Sequence, residues 1–302
     1  MSVAPVPLVI SYIDPDGVTW NLSDLSMSNG YVCSAIAGID GFPVMMQIVP
    51  LLDGTAVPNI LLPQPGTIGL AILVTRPASD NESDYYALLD RLTRAFWNNR
   101  NSAPAPGTLI IQRPDGTARQ ISVYTTSGLD TPDVGKDNKM VYSFSLATPD
   151  PWWSDLVPTI LNFNTGVNNG ILPVLPVDLN GAAVIGNIVV NNAGNMFTFP
   201  TWTITGPGTP TLRNNTTGRA WSLNTAIPAG QQVQVVTKRG QQAAVNITTG
   251  ANIWGQLVIS SPRDLWPLAA GNNSISITMT GATSATQVSM SYVNRWSRSL
   301  WQ

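Results

Sequence analysis

The second half of this 302-residue chain is a succession of short alternating segments, and this pattern is the strongest constraint on its fold. Turn sequences rich in Gly, Pro and Asn separate the segments at intervals of roughly 8–12 residues, which is typical of a β-sandwich or jelly roll. The last segments alternate most cleanly, because Ile275, Ile277 and Met279 point to one face. The sequence therefore predicts a second domain over residues 184–302, built from strands such as VIGNIVV, FTFPTWTIT, QQVQVVT, NSISITMT and TQVSMSYVNRW.

The first half also consists of alternating segments, but one helical pattern interrupts them. Apolar residues alternate on both sides of two turn sequences, DPDG at residues 14–17 and PDG at residues 114–116, which predicts two hairpins. Residues 80–98 instead repeat apolar side chains at helical spacing. We therefore predict a first domain over residues 1–153, a β-sandwich with one helix at residues 80–98 whose apolar stripe comprises Tyr85, Leu88, Leu89, Leu92 and Phe96.

The two halves differ in charge, and an irregular segment separates them. Residues 1–150 contain eight basic and fourteen acidic residues, a net charge of 8 − 14 = −6, whereas residues 151–302 contain seven basic and three acidic residues, a net charge of 7 − 3 = +4. Residues 154–183 contain several prolines and no steady period, which predicts a linker. The chain is thus expected to hold two domains with different surroundings.

Two adjacent tryptophans follow the last segment of the first domain, in the sequence DPWW. Neighbouring residues of a strand point to opposite faces, so one core cannot bury both Trp152 and Trp153. Pro149 and Pro151 stiffen the backbone at this exit. We interpret the four residues as a rigid interdomain joint; the alternative, a platform for stacking sugars, would require both rings to be exposed.

Residue types that serve common enzymatic chemistry are scarce. The chain has no histidine, which removes His-based triads and His-ligated zinc, and its single cysteine, Cys33, rules out cysteine clusters. A hydrolase with paired carboxylates is the surviving catalytic alternative. However, the only glutamate, Glu82, is explained as a helix-capping residue, and the aspartates cluster in turns. The sequence favours a protein that is not an enzyme and has no cofactor or metal.

The ten tryptophans suggest an alternative function, because aromatic faces stack on sugar rings. Trp202 and Trp221 lie in alternating segments, which favours core packing or an interface over sugar binding. A carbohydrate-binding module therefore stays as the alternative, and its candidate residues are those in or beside the C-terminal segments: Trp202, Trp221, Trp254, Trp266 and Trp296.

Four stretches of the sequence together form a pattern found in a known family: FSLATPDPWW, PTWTITGPGTPTLRNNTTGRAWSL, IPAGQQVQVVTKRG and DLWPLAAGNNSISITMTGATSATQVSMSYVNRW. The chain resembles the distal tail proteins of long, flexible-tailed bacteriophages, which are siphovirus-type tail components, especially those of phages that infect actinobacteria. The resemblance covers nearly the whole chain. It implies that the first domain has a tail-tube-like fold and forms a closed ring, typically a hexamer, and that the second is a galectin-like or jelly-roll sandwich.

The same resemblance implies a structural virion protein that forms a ring hub at the distal end of the tail. The ring would join the tail tube protein to the tail-associated hub protein, with the tape measure protein as a further partner, and DNA would pass through its channel without specific binding. A carbohydrate-binding receptor-recognition module of the tail tip is the alternative, with a host glycan as ligand. No signal peptide and no run of about 18 apolar residues is evident, so we expect synthesis in the host cytoplasm and a final location at the tail tip of the virion.

Acidic residues of the first domain suggest a property of that channel. Like charge discourages phosphate binding, so carboxylates on the channel wall would let DNA pass without adhering. The competing interpretation is that these residues only solvate turns or bond their own backbone. The candidates are Asp14, Asp16, Asp115, Asp130 and Asp133.

Overall fold

The protein is mainly β, as the sequence predicts. The computed structural model describes residues 8–50, 56–75, 82–100, 103–130, 139–164 and 183–300, and within these ranges it contains one α-helix. The chain forms two compact units, the first comprising Met1–Leu156 with Trp296–Gln302 and the second Val157–Arg295. Each unit has its own apolar core. Within the described ranges, no helix is long and apolar enough to span a membrane.

The first unit is built around one path of antiparallel strands, in the order β2-β1-β9-β10-β11-β6-β3. A bulge between Thr125 and Ser127 shifts the pairing of β10 with β11, and it lets β10 pass from one half of the sheet to the other. Two further pairs, β4-β5 and β7-β8, form separate two-stranded sheets. The elements are β1 Val9–Ile13, β2 Thr19–Asn21, β3 Tyr31–Ala37, β4 Val44–Pro50, β5 Ala56–Pro63, β6 Gly66–Thr75, α1 Glu82–Phe96, β7 Asn99–Arg100, β8 Ala103–Pro104, β9 Gly107–Gln112, β10 Ala118–Ser127, β11 Lys139–Thr148 and β12 Trp153–Asp155.

The helix packs its apolar stripe into this core, as its spacing predicts. All five stripe residues are at most 6% exposed. The ring of Phe96 stacks on Tyr12 at 4.3 Å and on Phe144 at 4.1 Å between centroids, which joins the helix to both halves of the sheet. The helix is predicted over residues 80–98; it ends at Phe96, and residues 80–81 lie outside the described ranges.

The second unit consists of two antiparallel sheets with a shared apolar core. One has the order β13-β23-β15-β18-β19-β20 and the other β14-β22-β16-β17-β21. Side chains alternate along the strands, so that Ile275, Ile277 and Met279 are fully buried while their neighbours face outward. The strands are β13 Thr159–Asn164, β14 Ala183–Asn192, β15 Thr201–Thr205, β16 Thr209–Asn214, β17 Arg219–Leu223, β18 Gln232–Val236, β19 Ala243–Asn246, β20 Ala251–Asn252, β21 Leu257–Val258, β22 Gly271–Thr280 and β23 Gln287–Tyr292, and short 3-10 turns occupy Trp254–Gln256 and Pro262–Asp264. The next strand, β24 Arg295–Trp296, instead pairs with β12 in the sheet of the first unit.

The observed elements differ from the predicted linker over residues 154–183. Its first residues belong to β12 and to β13, and residues 165–182 lie outside the described ranges. Strand β13 pairs with β23 along its whole length, but it lacks a clean alternation because Ile160 is 58% exposed although it is apolar. Residues 159–164 of the predicted linker are thus an irregular edge strand.

The second domain also ends earlier than the predicted residue 302, because the chain returns to the first unit at Trp296. Trp296 is 8% exposed and joins the core that contains Trp153. Its Nε1 donates a hydrogen bond to the Asp155 carboxylate at 2.7 Å. The following residues continue the contact, since the Leu300 amide donates to the Asp40 carboxylate at 3.1 Å.

A buried guanidinium holds this returning segment, residues 296–300. Arg119 is 1% exposed and lies with its guanidinium carbon 3.9 Å from the centroid of the Trp296 ring. Its Nη1 donates to the carbonyl oxygen of Arg298 at 2.6 Å. Burial lowers the pKa of Arg119 to about 10, so the side chain remains charged at neutral pH. A charge in the first unit is thus satisfied by residues that are 180 positions away in the sequence.

We predict that Arg119→Met lowers the free energy of unfolding by about 2–3 kcal/mol, because it removes a cation–π contact and a charge-assisted hydrogen bond from a buried site. The measurement is urea unfolding followed by circular dichroism. Arg298→Met is the matched control: its side chain is exposed, only its backbone carbonyl takes part in the contact, and the expected change is below ~0.5 kcal/mol. Equal unfolding midpoints for the two variants would contradict the role of Arg119.

Candidate assembly surfaces

The residues of the predicted joint lie where the chain leaves the first unit. Trp153 is 1% exposed and belongs to that unit's core. Trp152 is 8% exposed and meets the ring of Phe42 edge-on at 4.5 Å between centroids. Pro149 directly follows the last residue of β11, and Pro151 lies next to Trp152. Both rings are therefore buried against the first unit, which does not leave the exposed pair that a sugar-stacking platform needs.

The candidate channel aspartates differ in their surroundings. Asp14 is buried at 7% exposure: its Oδ1 accepts hydrogen bonds from the amides of Asp16 and Val18 at 2.9 Å, and its Oδ2 accepts from Trp20 Nε1 at 3.1 Å. Its carboxylate thus closes the turn between β1 and β2. Asp16 is exposed and lies 4.0 Å from Arg94.

The remaining candidates sit in other turns. Asp115 is exposed and accepts hydrogen bonds from the hydroxyl and amide of Thr117, and the hydroxyl contributes most to lowering the pKa of that carboxyl. It is therefore ionised at neutral pH. Asp130 is exposed, whereas Asp133 lies outside the described residues. The structure brings none of the described candidates together into one carboxylate cluster; in those ranges no group of three Asp, Glu, Cys or His residues could hold a metal ion.

One edge of the first unit's sheet is long and carries no charge. Strand β3 has the sequence YVCSAIA and, among the described strands, pairs only with β6. Ser34, Ala35 and Ala37 are exposed on it. Soluble proteins usually protect such an edge with lysine, proline, a bulge or a short strand, as at the opposite edge, where β2 has three residues. In β3 the register shifts between Cys33 and Ala35, and the Cys33 amide donates to the Leu22 carbonyl at 2.7 Å. No charge or proline blocks the rest of this edge, which is therefore suited to pair with another chain.

The hairpin that follows this edge is also unpaired. Strands β4 and β5 pair with each other and, within the described ranges, with no further strand. Between Gly41 and Thr75 the sequence contains a single charged residue, Asp53. Val44 and Met45 at the start of the hairpin are about half exposed, at 51% and 49%. Sequence reasoning missed this surface, although the long uncharged stretch was a signal for it.

The tryptophans proposed for sugar binding in the second unit are mostly in its core. Trp202, Trp221 and Trp266 are at most 1% exposed, and Trp202 meets the other two edge to face at 6.4 and 5.5 Å. Among the described residues their buried indole N–H groups have no hydrogen-bond partner, a cost that the burial of three large rings offsets. Trp254 is partly exposed, and Trp296 is buried in the first unit. These rings do not form an exposed stacking surface.

No protein-family model matches the chain, and no curated protein matches it either. Solved structures, however, do match the chain. The chain is similar to the Dit protein of phage SPP1, a crystal structure described as a paradigm of the hub adsorption apparatus in phages that infect Gram-positive bacteria: the TM-score is 0.64 at 11% identity over 96% of this chain and 99% of that chain. It is also similar to a chain of the phage P2 baseplate in its activated conformation with Ca, with a TM-score of 0.52 at 11% identity over 95% and 98% of the two chains. At this level of identity the likeness establishes a shared fold, and the fold spans both units of the protein.

Proposed function

We propose that this protein is a structural virion component that forms a ring hub at the distal end of a phage tail. In this proposal the first unit forms the ring and leaves a channel for DNA. The ring joins the tail tube protein to the tail-associated hub protein, and the tape measure protein is a further partner. Synthesis takes place in the host cytoplasm and the mature location is the tail tip.

The observation that carries this proposal is the likeness to SPP1 Dit over 96% of this chain and 99% of that chain. A fold by itself does not determine function. Here, however, the likeness includes the order of both units, and it agrees with the motifs around DPWW and in the second half of the sequence. The absence of histidine and the single glutamate further favour a structural role over a catalytic one.

The uncharged surface of the first unit supports self-association. A ring needs a heterologous contact, in which one surface of each copy meets a different surface of the next. The uncharged edge β3 and the adjacent hairpin β4-β5 together offer one such surface, since added strands would satisfy their free backbone groups. We therefore propose that this surface carries the subunit contact of the ring.

We expect the purified protein to form a ring of six copies, with a mass of about 193 kDa for six chains of 32.2 kDa, measured by light scattering. Ala35→Lys should shift the mass to that of the single chain, because a lysine on an edge strand opposes pairing. The control is Thr211→Lys, which places the same charge on an exposed position of the central strand β16 and should leave the mass unchanged. A wild-type chain that remains at 32.2 kDa over the whole concentration range would contradict self-assembly.

The net charge of −6 over residues 1–150 is the basis for the channel proposal. We propose that Asp16, Asp115 and Asp130, whose side chains are exposed, contribute negative charge to the channel wall. Asp14 was also predicted to line the channel. Its carboxylate is buried and accepts hydrogen bonds within its own hairpin, so its role in a channel would be to stabilise that hairpin. Asp133 stays in the proposal as a sequence-based candidate.

An electron cryomicroscopy map of the assembled ring tests this arrangement. The expected result places the Asp16, Asp115 and Asp130 carboxylates on the inner wall, because like charge lowers the affinity for DNA phosphates. Their position on the outer wall would overturn the proposal. As a functional measure, the triple Asp→Asn variant should retain duplex DNA at low salt more strongly than the wild-type ring, since it loses three negative charges per copy.

The joint proposal concerns Pro149, Pro151, Trp152 and Trp153. Both tryptophans anchor the exit of the chain to the first unit, and the prolines restrict the backbone beside them. A firmly anchored exit would limit the directions in which the following chain can leave. We propose that this anchoring makes the connection between the two units rigid.

We predict that Trp153→Ala lowers the free energy of unfolding of the first unit by about 3–5 kcal/mol, because it opens a cavity in the core. It should also broaden the distribution of distances between spin labels placed on the two units, measured by electron paramagnetic resonance. Trp97→Ala is the matched control, since that ring is 49% exposed and its removal leaves no core cavity. An unchanged distance distribution and unchanged stability in the Trp153 variant would together exclude the joint.

A further inference from the structure

A cavity of about 260 Å³ lies in the second unit, between the end of β17 and the strands β18, β19 and β20. Aliphatic side chains form part of its lining, including Leu223, Ile227, Val233 and Ile253. Amide and hydroxyl side chains form the rest. The polar lining residues are Thr225, Gln231, Asn246, Thr249 and Gln256.

A relay of amides fixes the orientation of one polar group in this lining. Asn246 is 8% exposed, and its Oδ1 accepts hydrogen bonds from the backbone amides of Thr248 and Thr249, both at 3.1 Å. Its Nδ2 must therefore be the donor, and it donates to Gln231 Oε1 at 2.7 Å. With its oxygen engaged, Gln231 keeps the two N–H donors of Nε2 for a ligand.

The size and chemistry of the cavity restrict what can bind there. Its volume corresponds to roughly nine water molecules, so it has room for one small ring or side chain. Its lining has no charged residue, and neither does any strand of the six-stranded sheet to which β18, β19 and β20 belong. A charged ligand would lose its hydration without gaining an ion pair, so the site favours a neutral one.

The mixed lining distinguishes between two kinds of neutral ligand. A purely apolar side chain from a partner protein would cover the amides of Gln231 and Gln256 and leave them without hydrogen bonds. A pyranose ring carries hydroxyl groups around its edge and C–H groups on its faces. Its hydroxyls can bond the amides while its C–H faces pack on the aliphatic side chains.

We propose that this cavity binds one neutral sugar residue, with Gln231 Nε2 and the Gln256 amide as its main hydrogen-bonding groups. The site uses none of the tryptophans of the unit's core. None of its lining residues belongs to the surface proposed for ring assembly. An experiment that contradicts one of the two proposals therefore leaves the other unaffected.

The test is a titration of the full-length protein with neutral monosaccharides, namely glucose, galactose, mannose, rhamnose and N-acetylglucosamine, followed by saturation-transfer-difference NMR. For a ligand of this size we expect saturable binding with a Kd on the order of 1 mM. Glucuronic acid and glucosamine, which carry a charge, should bind at least ~10-fold more weakly because the lining offers no ion pair.

Two variants assign any binding to the cavity. Gln231→Leu removes the oriented donors at nearly constant volume and should weaken binding at least ~10-fold. Gln234→Leu is the matched control, because it makes the same change three positions along the chain at a residue that does not line the cavity. Ala251→Trp places a large side chain at an exposed lining position and should abolish binding while the melting temperature stays near that of the wild type.

Loss of binding in the Gln231 and Ala251 variants, with binding retained in the Gln234 variant, would support the site. No saturable binding of any neutral sugar up to about 50 mM, roughly fifty times the expected Kd, would overturn it. Binding that persists unchanged in both cavity variants would also overturn it, because the sugar would then bind elsewhere.

Discussion

The first unit depends on satisfying one buried charge. Transfer of a guanidinium out of water costs several kcal/mol unless the protein supplies partners, and Arg119 is 1% exposed. Residues from the end of the chain supply two of those partners, the face of Trp296 and the carbonyl of Arg298, and the nearby Asp155 adds a favourable charge. The core of this unit is therefore completed by a segment that follows the whole second unit in the sequence. In sequence terms, Val157–Arg295 is an insertion into the first unit.

A second constraint is the scarcity of charge, which is 11% of the residues. A chain with few charges has few means of blocking unwanted strand pairing. In the first unit the edge β3 and the hairpin β4-β5 carry no charge at all in their strands, while the described acidic residues lie elsewhere, mostly in turns and in α1. Uncharged strand edges would make an isolated protein prone to aggregate. They suit a subunit whose edges are covered by its neighbours in an assembly. This distribution is why we assign the subunit contact to this surface rather than to the acidic turns.

Local patterns in the sequence predicted most of the strands and the helix. Most of the features that they did not predict depend on contacts between residues far apart in the chain. Alternation identified the strands of the second unit, and the 3.6-residue period identified the helix and its buried stripe from Tyr85 to Phe96. Strand β13 was missed because exposed Ile160 breaks its alternation. The return of Trp296 to the first unit has no local signature, since its partners Arg119 and Asp155 are more than 140 residues away. Asp14 looked like any other turn aspartate, because nothing nearby in the sequence reveals that Trp20 bonds and covers its carboxylate.

The function of the second unit is likewise hard to predict from the sequence, as its tryptophans and its cavity illustrate. Aromatic residues attract attention as sugar-binding candidates, yet here they belong to the core: Trp202, Trp221 and Trp266 pack between the two sheets together with many buried aliphatic side chains. The residues that line the cavity come from separate strands and turns, and each is unremarkable in the sequence. Only the bond from Asn246 to Gln231, across 15 positions, turns ordinary polar residues into an oriented donor. In a chain with so few charged residues, amides and hydroxyls must supply the hydrogen bonds to a ligand. Their orientation, rather than their number, determines whether they can bind it.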